Sequence, residues 1–520
     1  MWDSKRVNSD LSHGIEYAGR ALQPTTRYGW KVTVWDDTDK MSTNTSWFET
    51  GLMNPDLSAW SGAKWIGGGT DDLVFYPHYL SVFKVHFGVQ LDKATKSTKA
   101  AFVLGANDRR LMNKDLNIMG VQNGPGQSYI AFEVDISTVT DAPTGLAKLN
   151  MYRVGYSKTD KAEVPFKSLD IPQQLINNAN KYEKHTVLIA CNFGLFELFV
   201  DGKEEANKLK EKVDGPPSRF GPRGINLNPV GSGNNFISFP MVADIGFQVG
   251  ENQTAHFSQV EVKNFRYPSN TLFTENLSSQ AYAGIFKSKN LTVANGQYTI
   301  KGNTLITADP GRNAAPMLRR TFTTQAKPIA KARLYVTARG IYELYLNGNR
   351  VSNEYFNPGL TQYNKHHMYQ TYDMTGAVKQ GQKNALGAWL SEGWWSGNIT
   401  YSGESWNYFG DRQSLLSKLV ITYADGSEQI ITSNPGEWKV FTDGPVRYGS
   451  FFQGEVYDAT KEALVKNWTS PTYNDAGWKA AVDVPLEGTA YQGTFTDFQG
   501  RKTTFDYTDF KLIGQMGDNA

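Results

Sequence analysis

Asn107-Asp108-Arg109, followed by Asp115 and Asn117, gathers side-chain oxygens and a guanidinium within eleven residues, directly after a strand-like run. Carboxylates and amides at this density suit a calcium ion, which takes six to eight oxygen ligands. With the arginine they also suit sugar hydroxyls, provided an apolar platform lies beside them for the ring. Asp108, Asp115 and Asn117 are therefore candidate calcium ligands, and Asn107, Asp108, Arg109 and Asn117 candidate sugar contacts. The spacing fails the loop of helical calcium hands, and an Asn/Asp-rich turn that satisfies its own backbone would read the same way. Tyr152, Arg153 and Asn235, with Asn234 and Asp244, could join the pocket from later segments. Loop polarity and sandwich packing account for these equally well.

A second concentration is aromatic. Trp394, Trp395, Tyr401, Trp406 and Tyr408 crowd one stretch with Glu404 and Asp411. Such rings could stack on sugar, or pack against another domain. Glu404, Asp411, Glu455 and Asp458 fall at turn positions, so no catalytic residue is assigned among them. Hydrolysis of a glycosidic bond needs two carboxyls held across it. No phosphate loop, nucleophile elbow or dinucleotide fingerprint is present. The seven histidines lack metal spacing, and the adjacent His366 and His367 would point to opposite faces of a strand. The single cysteine, Cys191, lies in an apolar run and reads as a buried, inert thiol.

These residues must be positioned by something large. A chain of 520 residues exceeds what one core can organise, so several domains are expected. Its 53 basic and 51 acidic residues leave a formal charge of +2, without a Lys/Arg stripe, which argues against nucleic acid. No run of 18 apolar residues exists to span a membrane, and no signal peptide opens the chain.

Alternating apolar runs end repeatedly in turn residues. Thr26 to Trp35 runs into Asp36-Asp37, Leu195 to Val200 into Asp201-Gly202, Gly340 to Leu346 into Asn347-Gly348, and Leu419 to Tyr423 into Asp425-Gly426. Asp-Gly and Asn-Gly after such runs are hairpin signals. One short helix is expected over 170–180, capped by Asp170 with Pro172 in its first turn. With 49 Gly and 21 Pro, the fold class is all-β: tandem β-sandwich or jelly-roll domains.

An ordered set of motifs carries a family resemblance: Leu318-Arg-Arg-Thr-Phe322, Ala332 to Gly348, Asn357-Pro-Gly-Leu-Thr-Gln-Tyr363, Tyr369-Gln-Thr-Tyr-Asp373, Gly393-Trp-Trp-Ser-Gly397, Tyr408-Phe-Gly-Asp411, Tyr423-Ala-Asp-Gly426 and Gly454-Glu-Val-Tyr-Asp458. Residues 317–478 resemble the N-terminal sandwich of bacterial α-L-rhamnosidases, glycoside hydrolase family 78. Tyr17 to Asp36 and Phe48-Glu-Thr-Gly51 resemble that family's fibronectin-III-like first domain. That domain is partial here, since the chain opens inside it, and an exposed sheet edge is expected. In the family a string like Ala63 to Gly67 runs almost directly into one like Pro316 to Phe322. Here about 250 residues intervene. Leu104 to Met112, Tyr152 to Tyr156 and Asp244 to Phe247 within them resemble the rhamnose-binding jelly roll, carbohydrate-binding module family 67, which uses calcium.

The expected domains are 1–60, an insert over 69–270, a sandwich of 61–68 with 271–485, and the start of a further β-domain over 486–520. The resemblance implies the substrate-binding, accessory part of an enzyme that removes terminal α-L-rhamnose from glycans. Its inverting (α/α)₆ barrel is expected outside this chain, packed on the third domain, so the chain alone would be inactive. Export to the periplasm or cell surface is implied by the family. A stand-alone lectin or adhesin of tandem sandwiches is the rival reading.

Overall fold

A computed structural model describes residues 2–11, 13–14, 16–69, 82–115, 117, 120–121, 123–192, 195–210, 225–227, 243–264, 271–275, 286–294, 296–309, 314–397, 409–410, 412–451, 454–484, 493–496, 502–505 and 511–514. The described residues are almost entirely β-structure arranged as tandem sandwiches, and their longest α-helices, Arg109–Met112 and Glu462–Val465, have 4 residues each.

The first unit is a hairpin. Arg27–Trp35 pairs antiparallel with Met41–Glu49, from Arg27 opposite Glu49 to Trp35 opposite Met41. Asp36 closes it: one carboxylate oxygen accepts from the Thr38 amide and hydroxyl and from the Lys40 amide. At its far end Glu49 takes a bidentate bond from Arg333, 3.0 and 2.8 Å, and a 2.8 Å contact from Lys331, both on the strand Ile329–Arg339 of the third unit. Glu49 is 7% exposed in its side chain. Although burial pushes its carboxyl up, the Arg333 and Lys331 contacts outweigh that and hold it below its ordinary value. Removing one partner of a buried pair costs about 3–5 kcal/mol. Glu49→Gln should therefore undock the hairpin while sparing the third unit. Limited proteolysis checks this: cleavage within 1–54 should quicken at least tenfold, and an unchanged rate would rule the clamp out.

The second unit is a two-sheet sandwich. One sheet contains Val82–Leu91, His185–Asn192, Leu195–Val200, Ile225–Asn226, Thr254–Asn264, Thr271–Glu275, Leu291–Ala294 and Gln297–Lys301. The other orders Thr304–Ala308, Asp244–Val249, Lys99–Ala106, Tyr129–Asp135, Ala147–Val154 and Lys167–Ile171 side by side. Period-two alternation sends one face of each sheet inward. There Phe87 stacks on Phe102 at 4.6 Å and Phe257 meets Phe247 at 4.5 Å, each pair bridging the two sheets. Cys191 is buried in this core.

Three local expectations need correction. Thr271–Glu275 and the strands from Leu291 to Ala308 complete these sheets, so the unit runs past residue 270. Asp201-Gly202 makes no two-residue hairpin, since the chain meets this strand again only at Lys208, opposite Phe199. Leu195–Val200 pairs with the preceding His185–Asn192, and the Asp201 carboxylate instead binds His185 Nδ1 at 2.7 Å and the Thr186 amide at 2.8 Å. No helix forms over 170–180. Asp170 lies in a strand opposite Lys148, and after one turn at Pro172 the Asn177 and Asn180 side chains take backbone amides for themselves.

The third unit is again two sheets. Ile341–Leu346, Lys383–Ser391, Met317–Thr323 and Lys439–Phe441 lie consecutively in one. Ile66–Gly67, Ser414–Tyr423, Ile329–Arg339 and His366–Asp373 lie consecutively in the other. Lys511–Gly514 adds to this second sheet, parallel to His366–Asp373, so part of 486–520 belongs here. Asn347-Gly348, with φ of 55° and 93°, forms the tight hairpin expected of it.

Candidate functional site

The strand Lys99–Ala106 ends at Asn107, whose φ of 53° turns the chain sharply away from the six-stranded sheet. Its amide donates to Asp244 Oδ2 at 2.8 Å and to Thr307 Oγ1 at 3.2 Å, and its Oδ1 accepts from the Gly126 amide at 2.6 Å. Asn107 thus ties three segments together and has no side-chain donor to spare for a ligand. Asp108 is 1% exposed, and Arg109 begins the short helix Arg109–Met112.

Asn117 is also engaged. Its amide donates to the Leu111 carbonyl at 2.9 Å, and its oxygen accepts from the Val121 amide at 3.1 Å. Its oxygen keeps a second lone pair, through which it could reach a cation. Asp115 is exposed, with its amide bonded to Asn113 Oδ1. Asp108 and Asp115 are the carboxylates of this turn, the first buried and the second exposed. Among the described residues, no group of three His, Cys, Asp or Glu side chains is disposed to hold a metal.

Tyr152 and Arg153 do not act together. They are neighbours on Ala147–Val154 and so face opposite ways. Arg153 is 7% exposed and clamps Asp160 through Nε at 3.0 and 3.1 Å, while Nη1 donates to the Leu227 carbonyl at 3.1 Å. With Phe166 4.4 Å beneath the guanidinium, this is a structural clamp on the 156–166 loop. Asn234 and Asn235 lie outside the described residues.

Tyr152 points to the outer face of the six-stranded sheet and meets a cluster that sequence reading passed over. Its hydroxyl donates to Glu133 Oε1 at 3.1 Å, and Asn150 donates to the same oxygen at 3.0 Å. Ser168 donates to Asn150, and Lys99 bridges Asp135 at 3.1 Å and Glu133 at 3.9 Å. Burial and then the Glu133 charge push the Tyr152 hydroxyl well up. Burial also pushes Asp135 up, but Ser137 and Lys99 outweigh it and hold the carboxyl low. Beneath this ladder Ala101, Val103, Ala131 and Tyr129 pack at 6% exposure or less, which leaves Tyr152 and Glu133 among the partly exposed side chains of the face. A partly exposed tyrosine ring beside a fixed carboxylate can bind a pyranose by contact with its C–H face plus hydroxyl bonding. The signal was present in the alternation Tyr129-x-Ala131-x-Glu133-x-Asp135 and Asn150-x-Tyr152, of which the sequence reading singled out Tyr152 alone.

Of the carboxylates considered for catalysis, Asp458 caps the turn at 459–461 by accepting from the Thr460 amide and hydroxyl. Glu404 and Asp411 lie outside the described residues.

Residues 327–494 match the family model described as the α-L-rhamnosidase N-terminal domain. Residues 1–54 match the model described as a Rha78A-like, N-terminal immunoglobulin domain. An α-L-rhamnosidase from Streptomyces avermitilis is 29% identical over 92% of this chain and 39% of its own length. One from Alteromonas sp. is 38% identical over 34% of this chain and 19% of its own length. The chain thus spans about two-fifths or less of these relatives. Among solved structures, the Streptomyces avermitilis α-L-rhamnosidase complexed with L-rhamnose covers 93% of this chain and 39% of its own, at 24% identity and a TM-score of 0.46.

Proposed function

Because this chain carries the N-terminal domain of the α-L-rhamnosidase family over 327–494, together with that family's immunoglobulin domain, we propose that it is the substrate-holding region of an enzyme that hydrolyses terminal α-L-rhamnose from glycans. The observation that carries this is the 29% identity to a curated α-L-rhamnosidase over 92% of the chain, which takes in the jelly-roll insert as well as the flanking domains. In this reading hydrolysis belongs to a helical barrel beyond these 520 residues, packed on the third sandwich. The described residues here offer no helix longer than 4 residues with which to build one. The whole protein would work in the periplasm or outside the cell, where polymeric glycans are met.

The insert would be a rhamnose-binding module. The Asn107 turn and the Tyr152–Glu133–Asn150 ladder lie on neighbouring strands of one sheet, and the sugar would lie between them. Tyr152 would face the ring and its methyl group, while Glu133, held in place by Asn150, would meet the hydroxyls. Calcium, held by Asp108 and Asp115 with backbone carbonyls, would order the turn against the sugar. Holding a glycan here raises its local concentration at the barrel without any new catalytic contact.

Calorimetric titration of L-rhamnose into the chain tests this. Saturable heat is expected with calcium, lost on adding a chelator and in Asp108→Ala. Tyr152→Ala should weaken binding at least tenfold, whereas Tyr152→Phe, which keeps the ring, should retain most of it. A folded chain that gives no heat with or without calcium would refute the module. Hydrolysis of p-nitrophenyl α-L-rhamnoside by the chain alone would refute the placing of catalysis outside it.

A further inference from the structure

We propose that Tyr355, Phe356, Phe451 and Trp394 form a stacking platform for a neutral oligosaccharide on the third sandwich, apart from the jelly-roll site. Three segments converge to build it. Tyr355 and Phe356 follow the Asn349–Arg350 hairpin, Phe451 sits at the tip joining Val446–Ser450 to Gly454–Tyr457, and Trp394 lies in the turn after Lys383–Ser391. Ring centroids are 6.3 Å apart from Tyr355 to Phe356, 4.9 Å from Phe356 to Phe451 and 4.3 Å from Phe451 to Trp394. The chain sends Trp395 into the core at 0% exposure and leaves its neighbour Trp394 partly exposed.

Packing does not explain Phe356. It is held at φ 64°, a left-handed conformation that is a genuine outlier for a bulky side chain, yet it remains 54% exposed. Strain kept without burial is characteristic of ligand-contacting residues. Polar groups collar the rings. Arg350 lies 4.4 Å over Tyr355 and bonds Glu343 at 3.1 Å and the Glu354 carbonyl at 3.2 Å, contacts that do not exhaust its five donors. Tyr345 donates to Glu343 and Asn357 to Glu354. Arg350 pairs with Glu343 while the Glu354 carboxylate accepts from Asn357, so the collar presents guanidinium donors and carboxylate acceptors, a set that meets the hydroxyls of a neutral saccharide.

Size favours a glycan over a protein. Four partly exposed rings of about 150–250 Å² each present on the order of 400 Å². A stable protein interface takes roughly 800 Å² from each partner, so these rings alone are too small a face for the barrel proposed to pack on this sandwich. Phe356 meets Phe451 edge-on at 77°, so the four rings present more than one face, and the occupant is an oligosaccharide in place of a single pyranose. The inference rests on the protein being a glycan handler, but not on the calcium-assisted module.

The test titrates rutinose, α-L-rhamnosyl-(1→6)-glucose, into the chain with chelator present to silence the jelly-roll site. Saturable binding is expected, weakened at least fivefold in Phe356→Gly and in Trp394→Ala. The glycine tolerates the left-handed backbone, so Phe356→Gly should keep or raise the melting temperature, and a folding defect cannot mimic the loss. Equal binding by wild type and both variants, or no binding by folded wild type with chelator, overturns the platform. So does concentration-dependent self-association in sedimentation that both variants abolish, since it would make the rings a protein interface. Loss of only the chelator-sensitive heat in Asp108→Ala bears on the module and leaves the platform standing.

Discussion

Arg319→Met should cost the third sandwich about 4 kcal/mol, the range for a buried ion pair broken on one side. Arg319 lies on Met317–Thr323 with a side chain 0% exposed. Nε donates to the Trp468 carbonyl and Nη2 to the Ser470 carbonyl, both at 2.7 Å, while Nη1 pairs with Asp475. Those contacts fix the 468–475 segment over a satellite core of Met317, Val465, Trp468 and Trp478. The segment also needs Gly387, because a Cβ there would come within 2.7 Å of the Trp468 ring. Methionine fills much of the volume but leaves the Trp468 carbonyl unbonded, the Ser470 carbonyl with the Tyr473 amide alone, and Asp475 with Lys439, at 2.8 Å. Asp475→Asn should cost far less, about 1 kcal/mol, since both carbonyl bonds survive. Urea unfolding followed by tryptophan fluorescence should show the midpoint fall with unchanged slope. A midpoint for Arg319→Met within error of wild type would show that the clamp contributes nothing.

The contrast between those two variants bears on what a sequence can disclose. Strands were legible wherever alternation met a turn residue whose geometry is local, as at Asp36 and Asn347-Gly348. The hairpin signal at Asp201-Gly202 misled because a tertiary partner, His185, claimed the aspartate. The helix expected at Asp170 lost to sheet pairing with Lys148, an interaction between residues far apart in sequence. The domain limit at 270 failed for a related reason: later strands return to the same sheets. Site residues were legible by type and not by role. The polar turn at 107–117 was found, but Asn107 and Asn117 spend their groups on their own backbone and neighbours. Tyr152 and Arg153 were grouped although strand geometry alone sets them on opposite faces. Glu133, the partner that gives Tyr152 chemical meaning, lies across a strand pair that no local spacing reveals.

Glu392→Gln should stabilise the third sandwich at alkaline pH and leave it nearly unchanged near pH 5. Glu392 is 4% exposed at the base of the turn that carries Trp394 and Trp395. Its Oε2 has no hydrogen-bond partner among the described residues, and Tyr448 donates to the carboxyl. A side chain at Gly397, where φ is 68°, would collide with that carboxyl, so the turn closes tightly over it. Burial raises its pKa to about 8, with the Tyr448 bond opposing. The folded state therefore keeps a proton that the unfolded chain, with an ordinary glutamate near 4.5, gives up. Between those values the native state binds more protons, so stability falls as pH rises, by at most about 1.4 kcal/mol per pH unit. The contribution is fully present below about pH 4.5 and is lost as pH climbs through about 8. Glutamine keeps the shape and cannot ionise, which removes that slope. Unfolding free energies at pH 5, 7 and 8.5 should show wild type losing a few kcal/mol relative to the variant. Parallel pH profiles would mean that Glu392 is ionised in the folded state, and that the turn bearing Trp394 is held by a buried charge that a hidden partner must satisfy.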